Sequence, residues 1–467
     1  MPRARRRVRR SDEPRSREAA ATTNGLATGD GPTRLVPWLL GVLAAIGLVI
    51  SVALVLPVTD QAILNAPGGP ATTIGRVAAL AGTYLLLITL LLIGRIPLIE
   101  RVVGQDKLVR VHRWFGPAIL ALLGVHVVAI TVGYAQQVQA GPLREFWVMI
   151  VSYPGMLMAA TAMGLLIMVA ASSYRRARQK MRYETWWIVH LYAYIAAALS
   201  FTHQLSNGVP FIDHPIARGY WIALWAFTAG AVIFYRWAVP IARSLYHRLR
   251  VVAIEEEAPG VISVIMRGRH IDRLPASGGQ YLQWRFLSRG MWWMAHPYSL
   301  SALPAADTVR ITVKQRGPHS TWVASLQPGT RVAIEGPYGA FTHRVRHTDR
   351  VLLVAAGVGA TPVRAMLEDL PRHVDVVAIL RGSRPADLVL RDEIAELVDV
   401  RGGQLHEVIG SRAQAPLDEA ALRRLVPDIA QRDVYMCGPR PFTHSLRSAV
   451  RAVGVPPKRI HREDFVF

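Results

Sequence analysis

Four histidines lie in two apolar stretches of this 467-residue chain, where an ionisable side chain is unfavourable and points to function. His126 follows His112 by 14 residues, which on a helix is a rise of about 21 Å. His203 follows His190 by 13 residues, so the two depths match across the two stretches. Because a low-spin haem iron takes two axial imidazoles, paired helices of this kind predict two stacked haem sites.

The second spacing leaves an alternative open. Thirteen residues fall short of whole helical turns, so His190 and His203 need local overwinding or different rotamers to face the same way. The alternative is that the four histidines lie near the membrane interface and have this spacing by chance. Their pairing in depth on two helices favours metal ligation by all four.

The segment HPYSL carries side chains suited to a flavin, and its motif comprises His296, Pro297, Tyr298 and Ser299. Tyr298 offers a flat face for the isoalloxazine ring, and Ser299 can hydrogen-bond near its N5. His296 and backbone amides can meet the pyrophosphate. The motif resembles the flavin pattern Arg/His-x-Tyr/Phe-Ser/Thr of ferredoxin-reductase-like domains, which implies bound FAD.

The segments around this motif support the same interpretation. GGQYLQW precedes it and resembles the family's Gly-Gln-Tyr strand, while GPYG follows at 336–339 in the usual family position. In VKQRGPHST, Gly317 and Ser320 lie in a turn whose amides and hydroxyls can cradle phosphate. A flavin domain is therefore predicted here.

AAGVGATP, at 355–362, follows a buried strand and opens a helix. Glycines there permit close backbone approach, and the helix N-terminus attracts a pyrophosphate. The candidate nucleotide-binding residues are Gly357, Gly359, Thr361 and Pro362. Pro362 replaces the third glycine of G-x-G-x-x-G, as in ferredoxin reductases, and a plain strand-to-helix turn is the alternative.

Arg381, Ser383 and Arg384 follow the next strand of the same region. Cationic and hydroxyl groups at this position suit an adenosine 2′-phosphate, which favours NADPH over NADH. A solvated basic loop is the other interpretation.

MCGPRPF, at 436–442, resembles the family's Cys-Gly-Pro motif, which implies that Cys437, Gly438 and Pro439 lie beside the nicotinamide. We expect the thiol to pack and orient, because hydride transfer needs no protein nucleophile. The chain ends HREDFVF, and in relatives a C-terminal aromatic side chain covers the flavin. That resemblance assigns this role to Phe465 or Phe467, with a frayed tail as the alternative.

The elements that must position these residues begin with membrane spans. Apolar stretches of about 20 residues, the length that crosses the hydrocarbon, predict six spans at 36–57, 75–97, 112–134, 148–172, 184–204 and 217–240. The connectors at 95–113 and 175–182 are rich in Lys and Arg, whereas the alternate loops are poor in them. The positive-inside rule then places both termini in the cytoplasm, in a multi-pass protein of the cell membrane.

From about Val251 the hydrophobic period changes to two, and after Asp349 buried strands alternate with helices. The predicted fold is a six-helix transmembrane bundle followed by an antiparallel β-barrel for FAD and a doubly wound α/β nucleotide-binding domain. The predicted boundaries are a disordered basic tail at 1–33, the haem domain at 34–245, the barrel at 246–345 and the nucleotide domain at 346–467.

Composition excludes several other classes. The net charge of +22 is concentrated in residues 3–17 and the short connectors, so it indicates anionic lipid rather than nucleic acid. With Cys437 as the only cysteine, neither an internal disulfide nor a four-cysteine iron–sulfur cluster can form. The Arg-rich start also lacks the apolar core and cleavage site of a signal peptide.

VHRWFGPAILALLGVHVV and RYETWWIVHLYAYIAAALSFTH resemble the third and fifth spans of the ferric reductase and NADPH oxidase superfamily. The resemblance implies two b-type haems, with His112 and His190 on the inner haem and His126 and His203 on the outer one. Superoxide-forming animal members carry a further histidine where this chain has Ile130.

The predicted function is electron transfer from cytosolic NAD(P)H through FAD and the two haems to an external acceptor, with a ferric chelate favoured. One rival is a superoxide-forming NADPH oxidase that reduces oxygen. Another is a haem-containing membrane subunit that delivers electrons to a partner protein, which the sequence does not identify. A nonredox transporter is a poor third, because it leaves the flavin and nucleotide motifs without a use.

Overall fold

The computed structural model describes residues 32–465. The predicted basic tail, 1–33, lies almost entirely outside the described residues, and so does Phe467. The described chain runs from a helical region through two antiparallel sheets to a parallel sheet flanked by helices.

The first half of the chain is helical, as expected where lipid leaves the backbone no partner but itself. In chain order the helices are α1 (Pro32–Ala53), α2 (Gln61–Asn65), α3 (Gly69–Ile93), α4 (Pro97–Val103), α5 (Gln105–Gln137), α6 (Pro142–Ser152), α7 (Met156–Ser173), α8 (Arg175–Lys180), α9 (Tyr183–Asn207), α10 (Val209–Ile212), α11 (Pro215–Ile233) and α12 (Val239–His247). A five-residue π-helical segment, Phe234–Ala238, joins α11 to α12.

Among the described residues, five helical stretches are long and apolar enough to cross a membrane: Val36–Val58, Gly69–Ile93, Lys107–Gln137, Met156–Ser173 and Pro215–His247. The chain is therefore a multi-pass membrane protein. The predicted fifth span forms α9, a helix of 25 residues, but it is not among these five. It carries Glu184, two histidines and Gln204, which lower its hydropathy, and the predicted count of six spans is not confirmed.

Helices α3 and α5 pack closely because small residues face the contact. A Cβ atom on Gly75 would lie 2.8 Å from the Ile130 side chain, and one on Gly82 would lie 3.1 Å from that of Leu123. Small residues at such positions let two helix backbones approach within a membrane. This approach fixes the position of α5, which carries two of the candidate histidines.

Two three-stranded antiparallel sheets follow the helices. Their strands are β1 (Arg250–Ala258), β2 (Val261–Arg267), β3 (Tyr281–Phe286), β4 (His296–Ser299), β5 (Thr308–Lys314) and β6 (Val332–Tyr338), with α13 (Pro318–Val323) between β5 and β6. The sheet orders are β1-β2-β5 and β4-β3-β6. Both sheets contribute to one apolar core that includes Trp284 and Phe286. Single bridges at Arg250–Arg331 and Leu300–Ile311 connect the two sheets. The predicted antiparallel barrel is not confirmed.

The last region is an α/β fold, as predicted. Its strands are β7 (Arg350–Ala356), β8 (Asp375–Gly382), β9 (Gln404–Ile409), β10 (Asp433–Pro439) and β11 (Ile460–Phe465), and its helices are α14 (Ala360–Asp369), α15 (Arg391–Asp399), α16 (Glu419–Leu425) and α17 (Arg440–Ala452). The strands are parallel, in the order β11-β10-β7-β8-β9. Alternate residues of β7 enter two separate apolar clusters, so both faces of the sheet are covered.

Candidate functional site

His126, on α5, is held in a ligand-like orientation by the neighbouring helix. Its Nδ1 donates to the Gly75 carbonyl of α3 at 3.0 Å, which leaves Nε2 available. Metal-binding histidines characteristically bond one ring nitrogen to such an acceptor and ligate with the other. His203 interacts electrostatically with His126, and its Nδ1 is buried without a partner in hydrogen-bond geometry among the described residues, although the Ser200 backbone approaches the ring.

His112 and His190 meet at the other end of the same two helices. Their ring centroids are 5.8 Å apart, with an angle of 70° between the planes. A low-spin haem iron takes two imidazole ligands, and these two neighbouring rings could supply them. His190 stacks on Trp186 at 5.0 Å and lies 3.3 Å from Ser173 Oγ through its Nδ1. The residues present therefore fit the two predicted haems.

The flavin motif occupies β4, next to β3 in its sheet. The Trp284 indole N–H donates to the Tyr298 carbonyl at 2.9 Å, and Ser299 is buried. Pro297 is exposed, whereas His296 Nε2 is buried and has no hydrogen-bond partner among the residues described. Buried polar atoms in proteins normally have a hydrogen-bond partner. The unpartnered His296 nitrogen is therefore available to a polar cofactor.

His319 is a member of this site that sequence reasoning missed. Its ring stacks on His296 at 3.3 Å between centroids, and its Nδ1 lies 3.2 Å from the Tyr298 hydroxyl. Burial, together with the neighbouring His296, lowers the pKa of His319 to about 3. The only available signal was its position inside the turn GPHST, between the two residues predicted to bind phosphate.

The turn predicted to bind phosphate, at Gly317 and Ser320, is present. The Ser320 hydroxyl, however, bonds to the backbone of the turn. Its Oγ accepts the backbone N–H groups of Arg316 and Gly317, at 2.9 and 3.0 Å. This hydroxyl therefore caps the first turn of α13.

The predicted nucleotide loop lies at the carboxyl end of β7, beside the end of β10. Gly357 has a φ of +56°, and a Cβ on Gly359 would overlap the Cys437 carbonyl. Thr361 is buried, and its Oγ1 has no hydrogen-bond partner within the described chain. The two glycines are thus required by backbone conformation and close approach, and Pro362 is buried at the start of α14.

The three residues predicted for the adenosine phosphate have different surroundings. The Arg381 side chain is buried and donates to the Gly382 carbonyl and to the Val408 carbonyl, the latter at 3.1 Å. Burial, with Arg412 nearby, lowers its pKa. Ser383 and Arg384 are exposed, and Arg384 pairs with Asp387 at 3.2 Å. The Arg381 guanidinium therefore connects the end of β8 to the end of β9.

Cys437 is fully buried in β10, where its backbone pairs with Ala355 of the nucleotide-loop strand. Gly438 and Pro439 complete β10, and Pro439 pairs with Phe465 at the end of β11. A thiol buried this way packs against its neighbours. Phe465 therefore ends its strand beside the Cys-Gly-Pro motif, while the alternative, Phe467, is outside the described residues.

A cavity of about 130 Å³ separates the helical region from the sheet that carries the flavin motif. Trp187 and Glu184 of α9 line one side of it, and His296 of β4 lines the other. Trp187 is one helical turn before His190. The cavity was not predicted, because its walls come from segments more than a hundred residues apart.

Residues 78–201 match the family described as ferric reductase like transmembrane component. Residues 353–448 match the oxidoreductase NAD-binding domain. The two regions follow one another in the order predicted from the sequence. The chain therefore has the architecture of the ferric reductase and NADPH oxidase superfamily.

Two curated relatives are reductase components by name. The chain is 34% identical over 187 residues to the stachydrine N-demethylase reductase subunit of Rhizobium meliloti, covering 36% of this chain and 52% of that protein. It is 32% identical over 229 residues to the ferredoxin reductase component of 3-ketosteroid-9-alpha-monooxygenase of Mycolicibacterium smegmatis, covering 46% and 65%. The chain thus spans between half and two thirds of the length of these relatives.

Among solved structures, the chain is similar to the flavohem-like FAD/NAD binding domain of nitric oxide dioxygenase from Vibrio cholerae. The identity is 26%, the match covers 47% of this chain and 98% of that one, and the TM-score is 0.41.

These matches indicate an NAD(P)H-dependent oxidoreductase with a ferric reductase-like region in the membrane.

Proposed function

We propose that this protein carries electrons from cytosolic NAD(P)H, through FAD and two b-type haems, to a ferric chelate on the opposite side of the membrane. Transmembrane electron transfer as a class is supported by the membrane and nucleotide-binding family matches. When bound, the flavin supplies the conversion of a two-electron hydride donor to single-electron steps.

The observation that carries the proposal is the cavity shared by the two halves of the protein. His296 of the flavin motif and Trp187 of α9 line it together, and Glu184 interacts electrostatically with His296. Trp187 lies one turn from His190, the candidate ligand nearest this end of α9. A flavin held at β4 is therefore next to the helix that would hold the inner haem.

His112 with His190, and His126 with His203, are the proposed ligands of the two haems. The 5.8 Å separation of the first pair and the hydrogen bond that orients His126 support this assignment. NADPH is proposed over NADH on the exposed Ser383 and Arg384, with Arg381 removed from the set.

The proposed orientation places both sheet regions in the cytoplasm. Arg95 and Arg236, at the ends of α3 and α11, contact Glu335 of β6, so the sheets lie at the ends of the helices where the basic connectors also lie. Lys and Arg concentrate on the cytoplasmic side of membrane proteins.

A ferric chelate is proposed over oxygen because the position of the additional histidine in superoxide-forming relatives is Ile130. Its side chain packs against Gly75 and offers no polar group. A second candidate acceptor is a partner protein, since the two relatives described above are by name a reductase subunit and a ferredoxin reductase component.

The test is anaerobic visible spectroscopy of the full chain loaded with FAD and haem. We expect NADPH to reduce the haem bands and ferric citrate to reoxidise them. His190→Ala should lose one haem per chain, whereas His373→Ala, which changes an exposed histidine of the nucleotide region, should lose none.

Each other outcome selects a different conclusion. Reoxidation by oxygen alone would favour the oxidase, and a requirement for an added membrane fraction would favour a partner protein. Absence of haem bands, or bands that NADPH never reduces, would contradict the proposed electron path.

A further inference from the structure

A buried group of charges joins the helices to the flavin-motif sheet. Glu335 of β6 accepts hydrogen bonds from Arg236 Nη1 at 3.1 Å and from the Tyr338 hydroxyl at 2.9 Å. Arg95 Nε lies 3.9 Å from the same carboxylate oxygen, and Arg95 Nη1 lies 3.6 Å from Glu100. We call Arg95, Glu100, Arg236, Glu335 and Tyr338 the interdomain cluster.

Arg236 reaches the cluster from an irregular helix. It lies in the π-helical segment, where the Val239 N–H donates to the Phe234 carbonyl five residues back. Pro240 has no N–H to bond the Arg236 carbonyl, and its ring would clash with that carbonyl in a regular α-helix. Insertions of this kind often mark functional positions because they redirect side chains.

Arg95 reaches the cluster from a strained backbone. It follows α3 with a φ of +59°, a conformation that residues other than glycine rarely adopt. Its guanidinium lies 4.2 Å from the centre of the Tyr338 ring, and only 12% of its side chain is exposed. Strain of this kind persists where the surrounding contacts over-determine it.

Because the charges of the interdomain cluster are largely buried, their stability depends on each charge keeping its partner. The exposed fractions of the four charged side chains range from 10% for Glu100 to 28% for Arg236. Burial raises the pKa of Glu100, although Arg95 opposes this shift. If the sheet were displaced relative to the helices, one of these charges would be buried and unpaired, which is strongly unfavourable.

The cluster also borders the cavity between the proposed redox groups. Arg95, Arg236 and Glu335 line it together with His296 and Trp187. Beside it, Ser244 Oγ accepts the Ile334 N–H at 3.0 Å, which connects α12 to β6. The charges therefore border the cavity that the flavin-motif sheet shares with the candidate haem helix.

We propose that Arg95, Arg236 and Glu335 are positioning residues that fix the flavin sheet on the membrane bundle and so set the flavin-to-inner-haem step. This inference rests on the proposed function for its redox consequence. It predicts that breaking the cluster slows that step and leaves hydride transfer from NADPH to the flavin unchanged.

The experiment compares Arg236→Gln, Glu335→Gln and the double variant in the full-length protein. Arg267→Gln is the matched control, because Arg267 forms an exposed pair with Asp307 on the far sheet. Arg236→Lys keeps the charge and tests rescue. Amide hydrogen exchange of the cofactor-free chain measures how firmly the flavin-motif sheet is held on the membrane helices. Anaerobic stopped-flow spectroscopy of the chain with FAD and haem bound separates flavin reduction from haem reduction.

We expect faster exchange in β6 and in residues 234–247, with no change in β7. Haem reduction should slow severalfold, because electron transfer between separated groups weakens with every added ångström of distance, while flavin reduction keeps its rate. The double variant should be no slower than the slower single variant, and Arg236→Lys should recover part of the rate.

Unchanged exchange, unchanged haem reduction, or equal slowing of both steps would overturn the positioning role. Failure of the proposed function looks different: the unmodified chain would show no haem reduction by NADPH, while the exchange comparison would still decide whether the cluster docks the sheet.

Discussion

At the residue scale, His319 has surroundings that its sequence context did not predict. It lies in a turn of small and polar residues, yet its ring stacks on His296 and meets the Tyr298 hydroxyl. Burial first, and His296 second, lower its pKa to about 3, so His319 is neutral in the folded protein. A free histidine titrates near pH 6.5.

This difference predicts a pH dependence of stability. As the pH falls from about 6.5 towards about 3, the unfolded chain binds a proton that folded His319 does not, so its contribution to stability is progressively lost. Replacing His319 with Gln should make the melting temperature of the cofactor-free full chain fall less between about pH 7.5 and about pH 5. Equal falls in the two proteins would contradict the assignment.

At the element scale, the loop after β7 packs directly against the end of β10. Gly359 packs so closely on the Cys437 carbonyl that no side chain fits between them. Gly359→Ala should therefore displace the loop and weaken NADPH use by about ten- to a hundredfold, as overpacking costs about 1–3 kcal/mol. The measurement is the NADPH concentration needed for half-maximal flavin reduction.

Gly141→Ala is the control for this substitution, since a Cβ there meets no atom within 4 Å. Dithionite, which needs no nucleotide site, should reduce the flavin equally in all three proteins. A Gly359→Ala protein with the original NADPH dependence would show that this close contact does not form the nucleotide loop.

At the scale of the whole molecule, the proposed orientation can be measured by cysteine labelling. The single native cysteine, Cys437, is fully buried and should not react. Arg144, between the third and fourth predicted spans, and Arg176, in the basic connector of α8, are both exposed. In intact cells, an impermeant maleimide should label Arg144→Cys and not Arg176→Cys.

Permeabilised cells should label both variants, which controls for reactivity. Labelling of Arg176→Cys alone in intact cells would contradict the proposed orientation. It would show that the sheet regions lie outside the cell.

Local periodicity and residue spacing predicted the features that lie within a single helix, strand or loop. Apolar runs identified the membrane helices, alternation identified β2 and β3, and glycines after a buried strand identified the nucleotide loop. The sequence also placed two histidines on each of two helices, at depths set by the constant rise of a helix. Each of these signals lies within one element.

Only the tertiary structure decided which distant side chains meet. Arg236 contacts Glu335 across 99 positions of sequence, and Arg381 donates to the Val408 carbonyl across 27 positions. The antiparallel strands divide into two sheets where the sequence predicted one barrel. Periodicity tells which residues are buried, but the partner of a buried charge depends on how separate elements pack, and that is settled only when the whole chain folds.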